Sequence, residues 1–501
     1  MRVLHGVERW CRDKTLSVNP SKTEMILFTR RYKPEQHKAI YFFDEEVKLS
    51  QSVKYLGVIL DSKLSWKAHL DSRCQKAIVA FSQLRRVTGV TWGMTPKVVH
   101  WLYTAVIRPM FCYAAVIWWS RTTYKTVSRQ LEHLQRLACL YISGAVRTTP
   151  TAALEIVVGI APLPVHVMQE AMAACNRLML GAQWVSTNCG HTLICSHLSH
   201  LIPVSRMRGD KIPTEFIFGS NYMVETPSRE EWIDNRVRLD DDVVCFTDGS
   251  RNQRFTGASF YNQLTGENTS LPLGTLCSVF QAEMYAILQC ARSDDLRHRY
   301  SDSIAICTDS QAALKALASP KVTSALVAET VAALRELAIH NSVRLVWVLG
   351  HHGVPGNEVA DVLAKQASAQ CYIGPEPVLG VTSTTVRNAV RQWSVWEQNR
   401  LWCLTPGCRQ AKSMLKGIDL NLSKYTQHLT GRDLRILIGL LTGHVDLNRH
   451  LTLMKVRSDP TCPLCQEEEE TALHLLGRCS ALSTTRVTLL GHYRMDYTVF
   501  R

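Results

Sequence analysis

Four carboxylates in the middle of this 501-residue chain stand where hydrolytic metal chemistry would want them. Asp248 ends the apolar run Val243-Val244-Cys245-Phe246 and Asp309 ends Ile304–Cys307, while Glu283 and Asp361 fall on stretches of helical period. Acids at the carboxyl ends of neighbouring strands open onto one crevice, and helical acids can supply the remaining oxygens. Hard divalent cations take oxygen ligands, and Mg²⁺ in particular combines a few carboxylates with substrate phosphate. Two such ions about 3.5–4 Å apart activate a water and stabilise the leaving oxygen in phosphodiester cleavage. Any one of these acids alone is ordinarily a strand-end cap or a helix-start charge; their conjunction points to chemistry. A second set, Cys462, Cys465, His474 and Cys479, has the spacing C-x₂-C-x₈-H-x₄-C. Three thiolates and an imidazole suit tetrahedral Zn²⁺, and a site closed by four protein ligands is structural.

The elements that must position the acids lie in residues 242–370. Strands are expected at Val243–Phe246, Phe255–Tyr261, Ser270–Leu276, Ile304–Cys307 and Val343–Val348, since each is a short apolar run bounded by turn residues. Helices are expected at Val279–Ala291, Gln311–Leu317, Ser324–Ile339 and Asn357–Ser368, from apolar residues recurring three to four apart. Strands paired first as hairpins and then alternating with helices imply a mixed sheet covered by helices.

The motifs Cys-Phe-Thr-Asp248-Gly-Ser, Phe-Gln-Ala-Glu283-Met, Cys-Thr-Asp309-Ser-Gln and Gly350-His351-His352-Gly353-Val-Pro-Gly-Asn357-Glu358-Val-Ala-Asp361 resemble the type 1 ribonuclease H family. Their order, their strand or helix context and the ten-residue step from His351 to Asp361 all match. The resemblance implies a five-stranded mixed sheet flanked by helices, and hydrolysis of the RNA strand of RNA–DNA hybrids. It further implies two Mg²⁺ or Mn²⁺ ions held by Asp248, Glu283, Asp309 and Asp361, with 5′-phosphate and 3′-hydroxyl products. His351 takes the family's mobile-loop position, assisting proton transfer and product release; His352 competes for it. Ser250, Ser310 and Asn357 are candidate substrate contacts, although hydroxyl and amide side chains in such places are also ordinary turn and cap residues. The interval from Asp309 to Asp361 leaves no room for the basic protrusion some cellular members use to grip the hybrid, which turns attention to the flanks.

Those flanks resemble non-LTR retrotransposon polyproteins of the R1 and jockey kind. Leu16–Glu24 and Lys54–Val58 resemble the end of a reverse transcriptase palm, and Thr104–Pro109 with Tyr113 and Trp118 the helical region after it. No Tyr-x-Asp-Asp occurs, so DNA synthesis by this chain alone is not expected. The Cys/His spacing, with Leu440–His444 and Leu447–His450, resembles the carboxy-terminal CCHC element of the same elements. The expected organisation is a multidomain α/β chain: a truncated, mostly helical reverse-transcriptase segment (1–180), a linker (181–241), the ribonuclease H domain (242–370) and a helical zinc-binding tail (371–501). Trp393, Trp396 and Trp402 have a spacing that fits a core helix better than base stacking. The acidic run Glu467–Glu470 would repel phosphate locally.

Composition narrows the classes further. With 46% hydrophobic and 20% charged residues the chain can bury cores, which excludes wholesale disorder. Seventeen cysteines scattered through a long chain fit a reducing compartment better than a disulfide scaffold. The first residues form no signal peptide, so the protein is expected inside the cell, in nucleus or cytoplasm, and not secreted. Val98–Trp119 has spanning length but contains His100, Arg108 and Pro109; two buried helices broken at Arg108-Pro109 are expected, and no membrane partner. The formal net charge of +14 favours RNA, DNA and their hybrid as partners. Residues 1–150 hold 24 basic and 10 acidic side chains, whereas 242–370 hold 10 and 12. The amino-terminal region is therefore expected to grip phosphate while the acidic domain cuts. A catalytically silent nucleic-acid-binding remnant of such an element is the competing reading, and the sequence leaves oligomeric state open.

Overall fold

The computed structural model describes residues 2–29, 31, 39–87, 89, 92–181, 184, 192–234, 236–350 and 353–495. Internal contacts divide the chain into two compact units, one spanning Met172–Trp393 and the other built from Met1–Ala171 together with Ser394–Arg501.

The unit Met172–Trp393 is organised around a sheet whose strands alternate between two buried faces. Its strands are β1 (Lys211–Phe216), β2 (Met223–Glu225), β3 (Val243–Arg251), β4 (Thr256–Asn262), β5 (Asn268–Pro272), β6 (Ser303–Thr308), β7 (Lys321–Ser324) and β8 (Ser342–Trp347). Six of them form one mixed sheet in the order β2-β8-β6-β3-β4-β5, parallel from β2 to β3 and antiparallel beyond. The helices around this sheet that the site draws on are α1 (Val279–Ala291), α2 (Gln311–Ala318), α3 (Ala325–Leu337) and α4 (Pro355–Ala369). The period-two alternation of a strand sorts the core. Val243, Cys245, Ile304, Ile306 and Leu345 pack on Met284, Ile287, Leu314 and Leu334 on one face. Val244, Phe246, Ala305, Cys307 and Val346 pack on Ala360 on the other. Gly356 in the first turn of α4 meets the Phe246 ring so closely that a Cβ there would lie 2.1 Å from it. Burying that ring contributes about 2–3 kcal/mol, and the missing side chain is what lets α4 approach.

The sheet has six strands, not five. The sixth, β2, comes from the stretch expected to be a linker. Three residues are too few for a periodic signal, and β2 exists because it pairs with Arg344–Val346 of β8. The same stretch supplies β1, which pairs antiparallel with β7, and Asp210. That buried carboxylate accepts from the Leu326 amide (3.1 Å) and the Ser324 hydroxyl (2.7 Å) at the start of α3.

The other unit is mainly helical. The short apolar run Lys54–Leu60 falls within a hairpin of Ser52–Tyr55 and Val58–Asp61. Leu56 and Gly57 both have positive φ (46° and 80°) and form its two-residue turn. Among Met25–Thr29, the bridge to Leu49 is made by Met25 alone. The expected helix break at Arg108-Pro109 is absent. Tyr103–Ile107 forms a π turn instead, with the Arg108 amide bonding the Tyr103 carbonyl. Pro109 lacks an amide proton and crowds the preceding turn, and the wider turn accommodates it. The bend comes later, at Tyr113-Ala114, where Ala114 has φ 58°. No single described helix is long and apolar enough to cross a membrane. The carboxy-terminal segment completes this unit's core: the Gln398 amide donates to the Ile160 carbonyl (3.0 Å) and the Ser423 hydroxyl to that of Val158 (3.0 Å). Trp402 is buried, its indole donating to the Leu415 carbonyl, whereas Trp396 is exposed. None of the described cysteines forms a disulfide.

Candidate functional site

Two strands and one helix bring three carboxylates together. Thr247 and Thr308 are the last register partners of the parallel pair β3/β6, so Asp248 and Asp309 follow side by side. Helix α1 brings the third acid, and it begins at a capping box in which Ser278 and Gln281 satisfy each other's free amides. It lies directly on β3 because residue 249 is glycine; a Cβ there would stand 2.5 Å from the Glu283 amide nitrogen. Carboxylate oxygens of Asp248, Glu283 and Asp309 all fall within 4.8 Å of one another.

These acids are crowded and poorly hydrated. Burial, then the charges of Asp309 and Asp361, push the Asp248 carboxyl up to about 7. Burial, then Asp248 and Asp309, hold Glu283 well above the ordinary carboxylate range. The Glu283 Oε2 atom is buried with no hydrogen-bond partner. Like charges held this close, with an orphaned oxygen among them, form a donor set suited to divalent cations.

Asp361, on α4, stands outside that group of three, although its charge reaches Asp248. Its Oδ2 accepts from the Lys365 ammonium at 2.6 Å. Lys365 was not singled out by motif, yet it lies four residues after Asp361 on a helix, where side chains meet. Asn357, in the first turn of α4, is buried and its Oδ1 has no partner. Ser310 caps α2, accepting from the Ala313 amide (3.4 Å). Ser250 is half-buried opposite Gly257 in the β3/β4 ladder. Gly350 itself lies against Asp309, since a Cβ there would be 2.6 Å from Asp309 Oδ2. His351 and its competitor His352 lie outside the described residues.

In the helical unit, one donor atom from each of Cys462, Cys465, His474 and Cys479 lies within 4.8 Å of the others. Cys465 Sγ is 3.3 Å from His474 Nε2, and the sulfurs of Cys462 and Cys479 are 4.0 Å apart. Amides of Glu467 and Glu468 hold the Cys465 thiol down at about 7, while burial raises Cys479 to about 11. Glu468 sits 3.1 Å from His474 Nδ1, leaving Nε2 to face the sulfurs. A carboxylate behind a histidine is the usual second partner of a metal-ligating imidazole. The acidic run is thereby accounted for: Glu467 accepts from Ser480, Glu469 pairs with Arg449 (2.9 Å) and Glu470 accepts from the Asn448 amide (2.6 Å).

Comparison with known proteins agrees with this geometry. Residues 240–369 match the family model described as RNase H. The chain is 30% identical to the Retrovirus-related Pol polyprotein from type-1 retrotransposable element R1 4 of Nasonia vitripennis, over 32% of this chain and 44% of that protein. It is 22% identical to the corresponding polyprotein of element R1 of the same species, over 34% and 51%. With that of Bradysia coprophila it shares 22% identity over 32% and 16%. The chain thus spans about half or less of the length of these relatives. It carries a ribonuclease H domain and is homologous to the Pol polyproteins of R1 non-LTR retrotransposable elements.

Proposed function

We propose that this chain hydrolyses the RNA strand of RNA–DNA hybrids endonucleolytically, leaving 5′-phosphate and 3′-hydroxyl ends. The observation that carries the reading is the cluster of Asp248, Glu283 and Asp309, with the buried, unpartnered Glu283 Oε2 among them. Mg²⁺ or Mn²⁺ would be held by these three acids and Asp361. When bound, a pair of such ions supplies an activated water and charge neutralisation at the scissile phosphate. The protein's part is positioning. Strands β3 and β6 fix two acids rigidly, α1 shields them from bulk water, and Lys365 offsets part of the charge at Asp361. Burial strengthens every electrostatic interaction within the site. Asn357, Ser250 and Ser310 are proposed to meet the hybrid through its backbone and 2′-hydroxyls, so that shape and not base sequence defines the substrate. His351 is proposed to serve proton transfer and product release from its loop. Zn²⁺ is proposed at Cys462, Cys465, His474 and Cys479 as a structural ion. The basic amino-terminal region, read as a polymerase-derived helical segment, is proposed to hold nucleic acid.

The test incubates the purified chain and its Asp309→Asn variant with end-labelled hybrid, with and without Mg²⁺. Metal-dependent cleavage by the parent alone supports the enzyme. Equal binding by both proteins without cleavage identifies a nucleic-acid-binding module.

A further inference from the structure

Apart from the carboxylate cluster, the stretch preceding the ribonuclease H core builds an exposed aromatic surface. Phe216 and Phe218 stand two residues apart, hence on one side of the extended chain. Their rings are stacked with centroids 6.2 Å apart and planes 7° from parallel, and they are 63% and 75% exposed. A contiguous apolar patch facing water marks an interaction site. The backbone that carries the rings is anchored from beneath. Lys321 of β7 is the register partner of Phe216, the Ile217 amide donates to the Pro320 carbonyl (2.8 Å) and the Tyr222 hydroxyl donates to that of Leu317 (2.9 Å). The Arg335 guanidinium donates to the Phe218 carbonyl (3.0 Å). A cavity of about 120 Å³ opens at Phe218, with Ser319 and Arg335 in its wall.

We propose that Phe216 and Phe218 form a stacking platform for unpaired bases of a single strand that continues beyond the hybrid in the active site. Three observations choose this occupant. The rings are flat, parallel and open, as base stacking needs. Lys321 flanks Phe216 directly, Lys315 is exposed on the last turn of α2 and Arg335 backs Phe218; Glu215 is the acid on the ribbon, in register with Val322. The third observation is connection to the site: α2 starts two residues after Asp309 and ends at the ribbon. Its eight residues span about 12 Å, or roughly three to four nucleotides of strand. Paired bases inside the duplex have both faces covered by their neighbours, so the platform is open to the unpaired bases of an extension.

The proposal rests on the hybrid as substrate, and its test separates the two. Dissociation constants of the full-length chain and a Phe216→Ala/Phe218→Ala variant are measured in Ca²⁺ for hybrids with blunt ends and with single-stranded extensions. Cleavage in Mg²⁺ is followed on the same hybrids. The variant is expected to lose affinity for extended hybrids about five- to a hundredfold, with blunt-hybrid affinity, melting temperature and saturated cleavage rate unchanged. A Phe216→Tyr/Phe218→Tyr variant is expected to retain parental affinity. Equal affinities of parent and alanine variant for extended hybrids overturn the platform, even if both cleave. A parent that cleaves nothing but loses extension binding in the alanine variant overturns the nuclease reading and leaves the platform standing.

Discussion

Asp248 and Asp309 lie side by side because each follows directly on one member of the last register pair, Thr247 and Thr308, of the central parallel strands. The sheet closes the distance between two acids 61 positions apart in sequence, and α1 adds Glu283 through the gap that Gly249 leaves. The charge cluster is thus built by backbone pairing, and it works against the stability of the metal-free protein.

The first expectation follows from that cost. An acid whose folded pKa is raised contributes stability that is complete below its unfolded pKa and is lost as pH rises through the folded value. For Asp248 the window runs from about 4 to about 7, and the loss is on the order of 4 kcal/mol. Without divalent cations, the melting temperature of the parent is expected to fall between pH 5 and 8. Asp248→Asn flattens this slope and melts higher at pH 8, while abolishing cleavage. Parallel slopes for the two proteins in EDTA contradict the assignment.

Lys365 offers a second check. Its ion pair with Asp361 is largely exposed, so Lys365→Met is expected to change stability by no more than about 0.5 kcal/mol. Removing a cation from the edge of an acidic cluster strengthens the field there. The Mg²⁺ concentration giving half-maximal cleavage is therefore expected to fall. A rise in that concentration sinks the argument.

For the Cys/His cluster, Glu468 provides the sharper probe. Its carboxylate orients His474, and loss of such a partner costs about 10- to 100-fold in metal affinity. Zinc competition against a chromophoric chelator is expected to show this weakening in Glu468→Gln. Glu467→Gln, whose native partner is Ser480, is expected to keep parental affinity. Identical behaviour of the two variants would remove the second-partner role.

In the helical unit, burial raises the Glu155 carboxyl to about 8. The same sign rule gives a contribution that is lost between about pH 4.5 and 8. Glu155→Gln is expected to melt above the parent at pH 8.5 and close to it at pH 5. The check is a pair of denaturation series at those two pH values in the presence of Zn²⁺. A variant less stable at both values would show that the carboxylate has a partner worth more than its burial cost.

Much of the ribonuclease H region was legible because its elements are long, periodic and punctuated. Helix Val279–Ala291 was read with the bounds it has, since Ser278 and Gln281 announce its start. The three clustered acids were legible from their motifs. What escaped was whatever depends on a distant partner. Met223–Glu225 is a strand only because β8 accepts it. The Lys54–Leu60 run hid a hairpin, since Leu56 carries the apolar run up to its one turn residue, Gly57. Arg108-Pro109 looked like a helix end, and nothing in the local residues signals the π turn that absorbs the proline. Glu467–Glu470 reads as a repulsive acidic patch until each side chain is seen with its own partner.

The most direct measurement is single-turnover cleavage of a labelled RNA–DNA hybrid by the full-length chain in Mg²⁺, alongside double-stranded RNA and double-stranded DNA of the same sequence. The expected result is cleavage of the hybrid's RNA strand alone, to fragments bearing 5′-phosphates, abolished by Asp309→Asn or by EDTA. Cleavage that persists in Asp309→Asn, or a hybrid bound by the parent and left intact in Mg²⁺ and in Mn²⁺, would contradict the account.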